Sequence, residues 1–152
     1  MIDTPGRMLT LLLDADVLMA SAASTRAHSA GQVLLTLSEI TLVEAITSEL
    51  VVEECRRNIP KTFARSEDVL EAFGTIVDRA LTVVDRPTRD VVLAYRPYAA
   101  WSDAPHLASA AEHGCDSLVT YNISDYDASS LDVDVAEPGT VVRLVRTQLA
   151  DL

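Results

Sequence analysis

Asp14 and Asp16 stand one residue apart where the apolar run MLTLLL ends. Further along, Glu53, Glu54, Asp103, Asp125 and Asp127 fall at places that alternating strands and helices would bring close to them. A carboxylate can attack as a nucleophile, move a proton or hold a metal ion, and its neighbours decide which. Several carboxylates meeting at one point repel each other and raise their own pKa values, unless a divalent cation neutralises them. Hard oxygen donors with no histidine or cysteine nearby suit Mg²⁺ or Mn²⁺. Such an ion lowers the pKa of a water and clamps the oxygens of a phosphate undergoing in-line displacement. Metal-assisted phosphodiester hydrolysis is the reaction class these residues point to. Taken singly, each acid has a plainer reading: Asp14 and Asp103 as helix N-caps, Glu54 as part of a solvated helix face. Only the joint placement carries the chemistry.

That placement depends on the elements between the acids. Residues 8–13 read as a short buried strand and 17–23 as the start of a helix. Residues 30–39 read as a helix, and the β-branched stretch 40–48 as a second strand. It ends at Ser48, an N-cap for the helix ELVVEECRRNI. Arg56 and Arg57 fall in the last turn of that helix, where its dipole favours cations. Residues 66–80 carry apolar side chains at helical spacing, and 81–85 form a short strand. The stretch RPTRDVVLAYRPYAAWS, with two prolines, is expected to be partly irregular. A helix over 103–113 ends at Gly114. Residues 116–122 make a strand, 133–138 a last strand and GTVVRLVRTQL a last helix. The alternation means an α/β fold with a mostly parallel sheet. In such sheets ligands bind beyond the carboxyl ends of the strands, at the switch point. Asp14, Asp16, Ser48, Thr120, Asn122 and Asp125 follow strands there. Glu54 lies on the helix after the second strand, and Asp103 opens the helix that feeds the fourth.

At 152 residues and 49% hydrophobic, the chain is expected to be one domain over 1–152 with a real core. No apolar run approaches the roughly 20 residues that cross a bilayer. The start MIDTPGRMLTLLLDAD has acids and a single arginine in place of a basic n-region, so no signal peptide is expected. Cys55 and Cys115 have no metal spacing and read as reduced core thiols of a cytoplasmic protein. The net charge is −11 and Lys61 is the only lysine. A chain this acidic binds a polyanion only where metal ions offset its carboxylates and a few arginines hold the backbone. The same balance suits a basic protein partner.

The segments LLLDADVLMASA, AITSELVVEECRRNI, SDAPHLASAAEHGCDSLVTYNISDY and VAEPGTVVRLV resemble, in order, the motifs of PIN-domain nucleases, above all the bacterial toxin-like branch related to VapC toxins. The third segment is the most specific. Asp103 precedes a small-residue helix, then Gly114, then an apolar strand ending in Thr120-x-Asn122-x-x-Asp125-aromatic. The resemblance implies a three-layer α/β/α domain with about five parallel strands. It implies a catalytic set of Asp14, Glu54, Asp103 and Asp125, with Asp14, Asp103 and Asp125 as ligands of Mg²⁺ or Mn²⁺. Ser48, Thr120, Asn122 and Asp16 would line the site. The implied reaction is hydrolysis of single-stranded RNA to 5′-phosphate and 3′-hydroxyl ends. A small antitoxin protein and a homodimer are the implied partners. Asp16 departs from the family, which usually has asparagine there. Asp127 competes with Asp125 for the fourth acid, with spacing in favour of Asp125, and Glu53 competes with Glu54.

Several other readings accompany this one. An apolar strand followed by Asp-x-Asp-Val also resembles the first motif of haloacid-dehalogenase-type phosphatases, with Asp14 as nucleophile. That family needs a lysine after its threonine, and nothing after Thr120 is lysine. A PIN-like fold without catalysis, kept as a binding module, is the third possibility. Arg26, Arg56 and Arg57 are candidates for phosphate contact. His28, His106 and His113 lack the spacing of a metal pair; His106, three residues after Asp103, is expected as a partly exposed helix residue, with facing the site as the alternative. Tyr95, Tyr98 and Trp101 are expected to cover the core, with stacking on unpaired bases as the alternative.

Overall fold

The strand LTLLL (Leu9–Leu13, β1) is apolar on both faces, so it belongs inside a sheet with helices above and below. A computed structural model, which describes residues 7–25 and 29–151, has it there. Leu9, Leu11 and Leu13 join one core cluster and Leu12 the other, as period-two alternation requires. The remaining strands are β2 (Val43–Ser48), β3 (Thr82–Val84), β4 (Ser117–Val119) and β5 (Asp134–Ala136). They form one five-stranded parallel sheet in the order β3-β2-β1-β4-β5. The chain builds outward from β1 in one direction, then returns to build in the other, so β1 and β4 flank the switch point.

The helices are α1 (Ala15–Ala23), α2 (Ala30–Glu39), α3 (Glu49–Thr62), α4 (Ser66–Ala80), α5 (Arg89–Tyr95), α6 (Ala104–Glu112) and α7 (Pro138–Ala150). The first four and α7 cover one face of the sheet; α5 and α6 cover the other. This is the expected three-layer α/β/α arrangement. At the end of β1 away from the switch point, Asp116 accepts from Arg7 Nη2 at 2.6 Å and from the Thr10 amide at 2.9 Å. Cys55 and Cys115 are buried and free, and burial pushes both thiols up to about 12. Among the described residues no helix is long and apolar enough to cross a membrane.

Three local readings of the sequence are corrected. The second strand starts at Val43, not at residue 40, because α2 ends in a left-handed residue. Thr41 has φ 60°, and Leu42 N closes on Leu37 O at 2.9 Å. β-Branched character in Ile40 and Thr41 yields there to the need to reverse the chain. Helix α3 continues through Pro60 to Thr62, so Arg56 and Arg57 are not in its last turn; Lys61 is. Pro60 forfeits one backbone donor, while Phe63 N still closes on Ile59 O at 3.1 Å. The stretch with two prolines is partly irregular as expected, with α5 and a 3₁₀ turn, Arg96–Tyr98, inside it. Tyr95 and Tyr98 pack on the second core cluster as expected, but Trp101 is 72% exposed and covers nothing.

Two glycines give opposite expectations. A Cβ on Gly31 would collide with Ser21 Oγ where α1 and α2 touch, whereas a Cβ on Gly74 in α4 meets nothing within 4 Å. Gly74→Ala therefore stabilises by about 1 kcal/mol, the helix-interior value, raising Tm by roughly 2–4 °C in thermal unfolding. Gly31→Ala lowers Tm, because Ser21 must give up its bond to Val17 O.

Candidate carboxylate site

Leu13 pairs with Val119 across β1 and β4, so the next residues on each strand, Asp14 and Thr120, emerge side by side. Asp14 N closes on Val119 O at 3.0 Å. Asp14 is 6% exposed, and its carboxylate collects donors from several elements. Oδ1 accepts from the Ala15 amide at 2.7 Å, which caps α1. Oδ2 accepts from Thr120 Oγ1 at 3.1 Å and from the Tyr126 hydroxyl at 3.5 Å. Burial and Asp14 push the Tyr126 phenol well up, so it stays protonated and donates. Asp14 is therefore both the cap its position suggests and the centre of a larger cluster.

Asp103 occupies the N-cap position of α6 but makes no side-chain cap bond. Its carboxyl faces the cluster instead. Burial and then Asp14 push it up to about 6, Asp125 adds to the rise, and His106 opposes it. Asp125 ends a 3₁₀ turn, Ile123–Asp125, pinned by Ala100 N donating to Asp125 O at 2.8 Å. Asp127 is exposed and accepts from Ser129 Oγ at 3.2 Å. Asp125 is thus the one of the pair that meets Asp103.

Asp16 shows what an extra charge does here. Its oxygens accept from Val17 N at 2.8 Å, Tyr121 N at 2.9 Å and Asn122 Nδ2 at 3.3 Å. Thr120 Oγ1 lies 3.3 Å away, although its single proton serves either Asp14 or Asp16. Burial and Asp14 raise the Asp16 pKa, against these donors. Asp16 ties the start of α1 to the loop after β4.

His106 departs from expectation: it is 2% exposed, not partly exposed. It lies one turn after Asp103 on α6, on the same face. Its Nε2 is 3.7 Å from Asp14 Oδ1 and 3.6 Å from Glu54 Oε1. Burial works against a charged ring, but Glu54 and Asp14 outweigh it and hold His106 above its ordinary value. In return His106 holds the Glu54 carboxyl below the usual range, with the Arg57 charge helping against burial. Glu54 therefore joins the site through His106, for which the structure bears out the site-facing alternative. The i, i+3 spacing from Asp103 and the small residues around it were the available signal. Tyr126 was visible only as an aromatic after Asp125.

The other candidates divide. Glu53 pairs with Arg86 at the surface, which leaves Glu54 as the acid of α3 in this cluster. Ser48 caps α3 through Val51 N at 3.3 Å. Asn122 holds Thr120 Oγ1 through its amide at 3.1 Å. Arg56 lies over the Phe73 ring, 5.7 Å from its centroid. Arg26 and His28 lie outside the described residues. Lys61 is exposed near the end of α3, and no lysine is among the groups around Asp14.

Asp14, Asp16, Asp103 and Asp125 offer hard oxygen donors with more negative charge than nearby cations balance. In kind, this donor set fits Mg²⁺ or Mn²⁺. The shell is not preassembled: among the described residues no three His, Cys, Asp or Glu groups stand at metal-ligand spacing.

The raised Asp103 gives a pH test. Its folded pKa of about 6 exceeds its ordinary 3.8, so the folded state favours the proton. The charge penalty is absent at low pH, grows as pH rises from about 4, and is complete above about 6. In metal-free protein, Asp103→Asn raises Tm at pH 8, and the gain disappears by pH 4. An equal gain at both pH values, by scanning calorimetry, contradicts the crowding.

No protein-family model matches the sequence, and no curated protein matches it significantly. Solved structures do. VapBC2 from Rickettsia felis, bound to a DNA fragment from their promoter, aligns at TM-score 0.66 and 15% identity, covering 84% of this chain and 98% of that one. PAE2754 from Pyrobaculum aerophilum aligns at 0.65 and 17%, covering 91% and 96%. Mycobacterium tuberculosis VapC20, a sarcin-ricin loop cleaving toxin, aligns at 0.52 and 13%, covering 78% and 91%. These likenesses are in fold: the chain shares the α/β architecture of these three structures.

Proposed function

We propose that the chain is a divalent-metal-dependent ribonuclease that hydrolyses phosphodiester bonds of single-stranded RNA and acts as a toxin restrained by a protein antitoxin. The observation that carries this reading is the placement of Asp103 beyond β1 and β4, where burial and then the charges of Asp14 and Asp125 push its carboxyl up to about 6. The fold likeness to VapC20, a sarcin-ricin loop cleaving toxin, supports RNA as the substrate class. The likeness to VapBC2 supports an antitoxin partner, and the net charge of −11 suits a basic blocking segment.

Asp14, Asp103 and Asp125 would hold Mg²⁺ or Mn²⁺. The bound ion would supply Lewis acidity and an acidified water. Thr120 and Tyr126 fix the Asp14 carboxylate by donating to Oδ2. Ala15 N holds Oδ1, and His106 sets Glu54 and Asp14 relative to each other. A water oxygen bonds to phosphorus as the P–O3′ bond breaks. The 3′ oxygen takes a proton and the other product keeps the 5′-phosphate. Glu54, whose carboxyl His106 holds below the usual range, would serve as the base for that water.

A second reading, a PIN-like module that binds without cleaving, has one observation in its favour: the shell for an ion is not preassembled among the described residues. One experiment separates the two. Purified protein is incubated with mixed-sequence single-stranded RNA, with Mn²⁺ or Mg²⁺ against EDTA. Cleavage is expected with the metal and is abolished by EDTA. Asp14→Asn and Asp103→Asn each lose more than the roughly 10–100-fold that removal of a supporting group costs. His106→Ala falls within that range. Cleavage that survives EDTA, or both Asp variants at full rate, sinks the mechanism. RNA binding without cleavage, and no rise in Tm with Mn²⁺, supports the binding module.

A further inference from the structure

We propose that Trp101 and Arg96 form a subsite for one unpaired base of the RNA and its neighbouring phosphate, at the edge of the carboxylate cluster; this rests on the ribonuclease reading above. Trp101 is the only tryptophan of the chain, and 72% of it faces solvent. The Arg96 guanidinium lies over its ring, 5.5 Å from the centroid. An aromatic face with a guanidinium beside it is what single-stranded nucleic acid needs: a platform for a base and a cation for the backbone.

The location gives this pair its meaning. Two peptide steps separate Trp101 from Asp103, so their Cα atoms are within about 7 Å. Ala100, before Trp101, donates to Asp125 O at 2.8 Å. Ala99 bridges to Tyr126, whose hydroxyl reaches Asp14 at 3.5 Å. The segment that carries the platform is therefore tied to the loop of Asp125 and Tyr126 and leads directly into Asp103.

Charge points the same way. An acidic domain that holds RNA needs cations close to its carboxylates, and several of its arginines are committed elsewhere, while Arg57 lends its charge to Glu54. Arg7 pairs with Asp116, Arg86 with Glu53, and Arg56 lies over Phe73. Among the described residues Arg96 has no carboxylate partner, and its contact is with the exposed ring. Paired bases already stack on their neighbours, so this subsite selects single strands.

The single tryptophan is its own reporter. Asp14→Asn protein, used to prevent cleavage, is titrated with a mixed-sequence single-stranded ten-nucleotide RNA while tryptophan fluorescence is followed. Saturable quenching is expected with this RNA, and none with the same sequence as a duplex. Binding of fluorescently labelled RNA then compares variants in that background. Trp101→Ala weakens binding by about tenfold, the order expected for one lost base stack. Trp101→Phe keeps most of the affinity, and Arg96→Ala weakens binding and flattens its salt dependence. With Asp14 restored, Trp101→Ala raises KM about tenfold and leaves kcat unchanged. Circular dichroism confirms the fold of each variant.

Unchanged affinity and KM in Trp101→Ala overturn the subsite while the ribonuclease reading stands. So does an abasic strand that binds as tightly as the intact one, or a Trp101→Ala protein that loses only a protein partner. Wild-type protein that neither binds nor cleaves RNA overturns both readings.

Discussion

Negative charge gathered at the carboxyl end of β1 is the constraint to which the surrounding structure answers. Asp14 is nearly buried there, and a buried carboxylate is tolerable only when donors surround it. Its donors come from the start of α1, the end of β4 and the loop that follows, with His106 of α6 close by. No single element supplies them. Parallel pairing of β1 with β4 makes the convergence possible, because it places Thr120 beside Asp14 and lets α6 enter from the other face.

Asp16 illustrates how the same constraint shapes a neighbouring position. Asp16 is a second carboxylate two residues from Asp14, and burial, then repulsion from Asp14, raises its pKa. The charge is used to hold the loop after β4: Tyr121 N and Asn122 Nδ2 both donate to it. That loop carries Asp125 and Tyr126. Where the resembled family has a neutral amide, this chain has a stronger acceptor that fastens two parts of the site together.

Helix α6 serves the cluster at two heights. Asp103 stands at its N-cap position without capping it, and His106 follows one turn later on the same side. Between them they reach Asp14, Glu54 and Asp125, so one helix relates three separate segments. The stretch before it runs antiparallel to the loop after β4 through the Ala99–Tyr126 bridge. The exposed Trp101 sits on this brace. The bridge and the bond from Ala100 N to Asp125 O tie the segment that carries the exposed ring to the loop that carries Asp125.

Much was legible along the chain because it depends on local periodicity. The doubly apolar Leu9–Leu13, the amphipathic 66–80 and the alternation of elements determine an α/β sheet, and the rule for such sheets selects a list that includes Asp14, Asp16, Thr120, Asn122 and Asp125; the resemblance narrows it to Asp14, Asp103 and Asp125 as ligands. The ends of elements were less legible. The left-handed Thr41 and the tolerated Pro60 reflect how the chain must turn or pack, which propensity does not record. Only tertiary structure decided that His106 is buried between Asp14 and Glu54, that Glu53 turns away to Arg86, and that Trp101 stays in water. The physical reason is common to all three. Which elements a residue serves follows from strand and helix period, but burial and partners depend on groups up to about a hundred positions away, brought close by the sheet.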